Sequence, residues 1–292
     1  MKYRSALNLA ITTSIIFTSN NLVAAEDNNI IVTATRTAQT ANDSLASVTV
    51  ITKKQSLAND IPELLNGIQG IDISNSGGLG KATSIYMRGT NASHVLILVD
   101  GIRMGSATLG TVSLQSIPVS QIERIEIVRG PRASLYGSDA IGGVIQIFTK
   151  KEKSNNMNFS MGYGSRNTTK LNAGINMAKD NNQFSLNIGY LQTNGFNALK
   201  TSDLDKDGYK NTSVSANYKH QFSKKSYLTA TFMRAQGNNQ YDDRFTTTNI
   251  VDADFVQQAT GINYVFVPLE DWQMSLKLNQ SQDKSSNFKN GA

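Results

Sequence analysis

The second half of the chain alternates apolar and small or polar residues with a period of two. Phe159, Met161 and Tyr163 form one such set, and Leu171, Ala173, Ile175 and Met177 the next. Leu186, Ile188 and Tyr190 follow, then Val214, Ala216 and Tyr218, then Leu228, Ala230 and Phe232. Ile262, Tyr264 and Phe266, and finally Trp272, Met274, Leu276 and Leu278, complete the series. Strict alternation places one set of side chains on one face of a strand, so each run reads as a β-strand with one apolar face. Each run is about ten residues, the length a tilted strand needs to cross a bilayer. Lys179–Asn182, Ser223–Lys225 and Leu269–Asp271 read as tight turns, whereas Asn194–Lys210 and Gln236–Ala253 read as long polar loops. Short connections on one side and long ones on the other are the arrangement of an antiparallel membrane barrel.

The first half has a different rhythm. Ser47–Thr52 alternates as a strand, and Gly70–Ile73 and Ile85–Arg88 read as short strands. Ile61–Ile68 reads as a short helix, with Asp60 at its N-cap, Pro62 in the first turn and Gly67 near its end. Val95–Val99 is apolar at every position, as expected of a strand buried on both faces. Ile122–Arg129 reads as an alternating strand after a short helical turn near Ile117-Pro118. A turn rich in glycine from Gly130-Pro131 to Gly143 then feeds the β-rich run Val144–Phe148. Gly137, Gly142 and Gly143 are expected where a Cβ would collide with packed backbone. Small strands mixed with short helices predict an α+β module over residues 41–151, with the alternating strands in 152–292.

The amino terminus adds an export signal. Met1-Lys2-Tyr3-Arg4 is basic, Ala6–Phe17 is mostly apolar, and Val23-Ala24-Ala25 offers the small residues a signal peptidase reads. Residues 1–25 are therefore expected to be a cleaved signal peptide. The following segment, Asn28-Asn29-Ile30-Ile31-Val32-Thr33-Ala34-Thr35, puts apolar β-branched residues in a leading tail of residues 26–40. It suits an unpaired strand that adds to a partner's sheet through main-chain hydrogen bonds.

Composition narrows the alternatives. The 292 residues contain 0 cysteines, which excludes a disulfide scaffold and thiolate metal sites. The net charge is +6, but the 28 basic residues are scattered rather than gathered into the stripe that nucleic-acid binding needs. Only two histidines occur, His94 and His220, and neither neighbours a nucleophile motif, so a hydrolase is disfavoured.

Three stretches carry a resemblance: Met87-Arg88-Gly89, Val95–Arg103, and Arg129-Gly130-Pro131 through Ile147. Together they resemble the plug domain of TonB-dependent outer-membrane receptors, most like the cobalamin (vitamin B12) receptors among them. Arg88–Val95 carries the likeness to that branch; the siderophore receptors are the alternative. The resemblance implies an α+β plug followed by a transmembrane β-barrel in the outer membrane, entered through a cleaved signal. Asn28–Thr35 then resembles the TonB box, whose partner is TonB of the inner-membrane energising complex, and the barrel faces outer-membrane lipid as a monomer. Arg88, Arg103, Glu123, Glu126 and Arg129 would hold the plug to the barrel wall by ion pairs.

By the same resemblance, cobalamin would rest on Ala82, Ser84, Asn91, Thr108, Leu109 and Asp243. The long loops carry Asp203, Asp205 and Asp207, then Tyr241, Asp242 and Asp252, which match calcium ligands of cobalamin receptors. Closely spaced carboxylates followed by Gly208 suit a hard cation, although the twelfth position, Val214, rules out an EF-hand. Asn197 stands where the family has aspartate. The family barrel has about 22 strands, so the seven runs here read as the N-terminal portion of a longer receptor, not competent for transport alone.

Overall fold

A computed structural model describes residues 31–32, 39–40, 47–52, 58–105, 110–151, 154–198, 206–242, 250–269 and 272–289. The first strands are β1 (Ile31–Val32), β2 (Gln39–Thr40) and β3 (Ser47–Thr52), followed by helix α1 (Ile61–Leu65). Next come β4 (Ile71–Asn75), β5 (Thr83–Met87), β6 (Val95–Val99), β7 (Ile102–Arg103) and β8 (Ile122–Arg129). A four-residue helix, α2 (Ala133–Tyr136), precedes β9 (Gly143–Thr149). The remaining strands are β10 (Asn156–Gly164), β11 (Thr168–Lys179), β12 (Asn182–Thr193), β13 (Tyr209–Ser223), β14 (Ser226–Asp242), β15 (Ile250–Leu269) and β16 (Trp272–Lys289).

Local chemistry explains the small elements of the inner module. The Asp60 carboxylate caps α1 by accepting from the Glu63 amide at 2.8 Å, and the Glu63 carboxylate reaches back toward Asn59. The helix stops at Leu65, three residues earlier than the apolar run suggested, with Gly67 at φ +80°. A sheet in the order β3-β8-β9-β6-β7 forms the centre of the module, with β6 and β9 parallel and the other neighbours antiparallel. Because β6 is buried on both faces, Val95, Ile97 and Val99 join one apolar cluster and Leu96 and Leu98 another. The first cluster also takes Ile61 and Leu65 of α1, Met87 of β5, and Ile125, Ile127, Ile145 and Ile147. At Gly143 an added Cβ would strike the Met87 sulfur and the Val128 carbonyl, so only glycine lets β9 enter this sheet. Gly137 differs from the expectation: nothing lies near its Cβ position, and its φ of +98° is what requires glycine.

The wall is a seven-stranded antiparallel meander, β10 to β16 in chain order. Its tight turns fall at 180–181 and 224–225, where the sequence pattern placed them, and Leu269 pairs with Trp272 where β15 gives way to β16. Strand length departs from the pattern. The strands run from 9 residues in β10 to 20 in β15, rather than about ten throughout. Most of the segment 236–253, read from sequence as a loop, is paired: Gln236 to Asp242 face Val256 to Ile250 in the β14–β15 ladder. The ladder is a backbone property, so it persists after the outer face stops being apolar and the alternation signal fades. A further short turn, Ser165–Asn167, sits on the side of the long loops.

The wall is inverted relative to a water-soluble sheet. Its outward residues include Phe159, Met161, Ile262, Leu276 and Leu278, the last two 66% and 67% exposed. Many of its inward residues are polar and buried, among them Asn187, Asn211, Ser213, Ser215, Asn217 and Gln257, while Met233 and Ala259 join the apolar cluster of the inner module. Polar inside and apolar outside is the pattern of a barrel wall in lipid. The described β10 and β16 are the two outer strands of this sheet.

Candidate functional site

Strand β13 is the track on which the inner module is docked. From Tyr209 to Asn217 every second residue faces inward, and each meets a polar group of the module. Tyr209 Oη donates to the Gln115 carbonyl at 3.3 Å, and Asn211 Nδ2 to the Ser116 carbonyl at 2.8 Å. The Gln121 amide donates to Ser213 Oγ at 3.2 Å and accepts from Ser215 Oγ. Asn217 Nδ2 donates to Thr149 Oγ1 at 2.9 Å, and Thr149 in turn donates to Asp100 at 2.5 Å. On the other flank the Ser113 amide donates to Asp283 at 3.3 Å. These are neutral groups or single charges meeting small polar side chains, each worth about 0.5–1.5 kcal/mol net.

The ion pairs expected between module and wall take another form. Arg129 is 9% exposed and donates to the Gln69 carbonyl at 2.7 Å and to Thr49 Oγ1 at 2.9 Å, both within the module. Burial lowers its pKa, with Arg88 adding to the effect. Glu126 is fully buried against Arg124 at 3.0 Å, and Arg103 pairs with Asp139. Arg124 lies 3.7 Å from Glu123 and stacks over Phe148. These charges knit the module together, because β8 is buried from Ile125 to Arg129 and exposes only Glu123 fully.

The apical end is where the β4–β5 hairpin meets the rim of the wall. Gly77 and Gly78 lie against Ala198 and Phe196, and Gly80 lies against the ring of Tyr209 so closely that a Cβ would overlap it. The next residue, Lys81, is 3% exposed. Its ammonium donates to the Gln240 carbonyl at 2.6 Å, Asn239 Oδ1 at 2.8 Å, and the carbonyls of Asp207 at 3.1 Å and Gly208 at 3.3 Å. Burial lowers its pKa to about 8, opposed by the Asp207 and Asp242 carboxylates. An open cleft of about 660 Å³ beside it is bordered by Asp60, Glu63, Arg166, Lys170 and Phe196.

The residues singled out from sequence are distributed around this rim. Ala82 is exposed beside Lys81, and its carbonyl accepts from the Ser76 amide at 3.0 Å. Ser84 pairs with Ser74 across the hairpin, and it borders a small cavity with Ala92 and Thr111. Asn91 is exposed and caps the turn Ala92–His94 through Ser93. Thr108, Leu109, Asp203, Asp205 and Asp243 lie outside the described residues, as does the expected signal peptide. Of the tail segment, Ile31 and Val32 are described, and they pair with Thr40 and Gln39 in place of the unpaired strand expected.

Of the expected calcium ligands, Asp207, Tyr241, Asp242 and Asp252 are described. Asp207 is buried, and its Oδ2 accepts from the Ala198 amide at 2.8 Å. Tyr241 and Asp242 end β14, while Asp252 faces Gln240 across the ladder. Among the described residues, no three acidic or histidine side chains gather as a metal site. The oxygens beside Asp207 already hold the Lys81 ammonium, so that part of the set does not fit a metal ion. Lys81 itself is not among the residues the sequence pattern singles out; its signal there is a single charge ending a loop of small residues, Ser74–Lys81.

Residues 40–144 match the family described as the TonB-dependent Receptor Plug Domain. The inner module is a TonB-dependent receptor plug. The chain is 34% identical over 275 residues to "Vitamin B12 transporter BtuB" of Vibrio cholerae serotype O1, covering 91% of this chain and 44% of that protein. It is 30% identical over 288 residues to the protein of the same name from Vibrio vulnificus, covering 95% and 46%. The chain thus spans less than half the length of these relatives. Among solved structures, the fold is similar to the alcaligin outer-membrane receptor FauA of Bordetella pertussis, with a TM-score of 0.71 at 16% identity, covering 90% of this chain and 44% of that one. The ferripyoverdine receptor of Pseudomonas aeruginosa gives a TM-score of 0.71 at 16% identity, covering 88% and 37%. At such identities these two speak to the fold: a plug against antiparallel barrel strands.

Proposed function

We propose that the chain is part of an outer-membrane transport receptor, and that cobalamin is its ligand. The observation that carries the first statement is the inverted wall, polar toward the plug and apolar outward. Such a sheet is stable only where lipid covers the outer face and a filled lumen covers the inner one. A membrane without its own energy source cannot drive a blocked receptor, so work arrives through a partner. We assign that role to TonB, acting on the segment 28–35. Outer-membrane lipid is the surrounding phase, reached by export through residues 1–25. The role is transport and not catalysis.

The relatives named as vitamin B12 transporters favour cobalamin. The siderophore receptors share the fold and supply the second reading. Ala82, Ser84, Asn91, Thr108, Leu109 and Asp243 are proposed to form the ligand face contributed by this chain. Calcium is proposed for the acidic loops through Asp203, Asp205, Tyr241, Asp242 and Asp252, with Asp207 beside the Lys81 ammonium. Binding of cyanocobalamin and of a ferric siderophore to the chain refolded in detergent, measured by calorimetry with and without calcium, tests these statements. Saturable cobalamin binding tightened by calcium is the expected result; preference for the siderophore transfers the reading to that class.

A further inference from the structure

The ammonium of Lys81 sits in an oxygen cage built by other parts of the chain. Three protons face four oxygens, supplied by residues 207–208 ahead of β13 and 239–240 in β14, with distances of 2.6 to 3.3 Å. A cation removed from water is unfavourable unless its surroundings replace the lost hydration. Here three carbonyls and a side-chain amide oxygen do so, with the Asp207 and Asp242 carboxylates nearby. This is the donor chemistry that a hard metal ion takes. The fit of the hairpin supports the geometry: Gly77, Gly78 and Gly80 bring its backbone against Ala198, Phe196 and Tyr209, so the lysine is delivered from a seated loop.

We propose that Lys81 is a tethered cation that fastens the plug's apical hairpin to the rim of the wall, where the surrounding oxygens would otherwise call for a metal ion. It is a positioning residue. It belongs to the plug while its partners belong to the wall, so displacing the plug withdraws the cation and leaves the four oxygens without the positive charge that they share. The inference rests on the plug-in-wall arrangement and not on which ligand is carried.

The test uses the full chain refolded in detergent. In the wild type, acetylation of Lys81 by an amine-reactive reagent, read by mass spectrometry, is expected to be at least about tenfold slower than that of exposed Lys210, and unchanged by millimolar calcium. Lys81→Met is expected to speed amide exchange at residues 76–84 and 206–210 by about tenfold or more. It is also expected to gain calcium uptake, by calorimetry, over the wild type. Labelling of Lys81 as fast as Lys210, its release by calcium, or unchanged exchange in the variant overturns the proposal. If Lys81→Met fails to fold, wild-type labelling with and without calcium decides alone. Ligand binding is not read in any arm, so failure of the cobalamin reading and failure of the tether are distinguishable.

Discussion

The plug meets two surroundings, and they are built from different chemistry. Its own interior is aliphatic: Ile61, Leu65, Ile125, Ile127, Ile145 and Ile147 are fully buried in one cluster. Its junction with the wall is mainly small and polar, with Ser213, Ser215 and Asn217 each meeting a hydroxyl or amide of the plug. The interior holds the plug as one body, since water offers aliphatic side chains no substitute for their packing. The junction fixes position at little net energy, since water can take over each of its hydrogen bonds. The plug thus keeps its shape even where its outer hydrogen bonds exchange with water.

The comparison is broken most severely from the inside. Ile127→Ala should destabilise the plug by about 2–5 kcal/mol through reduced burial and a residual cavity, read by denaturant unfolding of the chain in detergent. Next in size is the outer face: Leu276→Arg should oppose insertion into vesicles by up to about 2–4 kcal/mol, seen as reduced folded yield in lipid. If that variant inserts as well as wild type, the outward face does not meet lipid. At the junction, Gln121→Ala removes both bonds to β13 and should weaken docking by about 1–2 kcal/mol. Faster amide exchange should then appear along 211–217 with no change in the plug's core. The smallest effect concerns Asp60, whose carboxyl is raised above its ordinary 3.8 mainly by burial. The folded form then binds its proton more readily than the unfolded one, so its contribution to stability is full below that value and is lost as pH rises through the folded value. Asp60→Asn keeps a capping oxygen and should flatten this slope in an acid-range titration of stability.

Much of the architecture is legible in the sequence because it depends on local rules. The all-apolar Val95–Val99, the Asp60 cap and the tight turns at 180–181 and 224–225 each follow from period, capping or turn chemistry over a few residues. Strand ends are less legible, because β14 and β15 continue as backbone ladders past the last alternating apolar residue. The electrostatics are least legible. Arg129 and Glu126 look like surface charges along the sequence, and only the packing of β8 between β3 and β9 buries them. Lys81 is hidden for the same reason: its partners lie 126 to 159 residues away.

The order of pairing has a consequence for biogenesis. Every partner in the central sheet of the plug falls between Ser47 and Thr149, including the parallel contact of β6 with β9 that closes it. The wall begins only at Asn156. A chain emerging amino end first therefore holds a complete template before its first lipid-facing strand arrives, and later strands can assemble around a finished form instead of closing an empty ring.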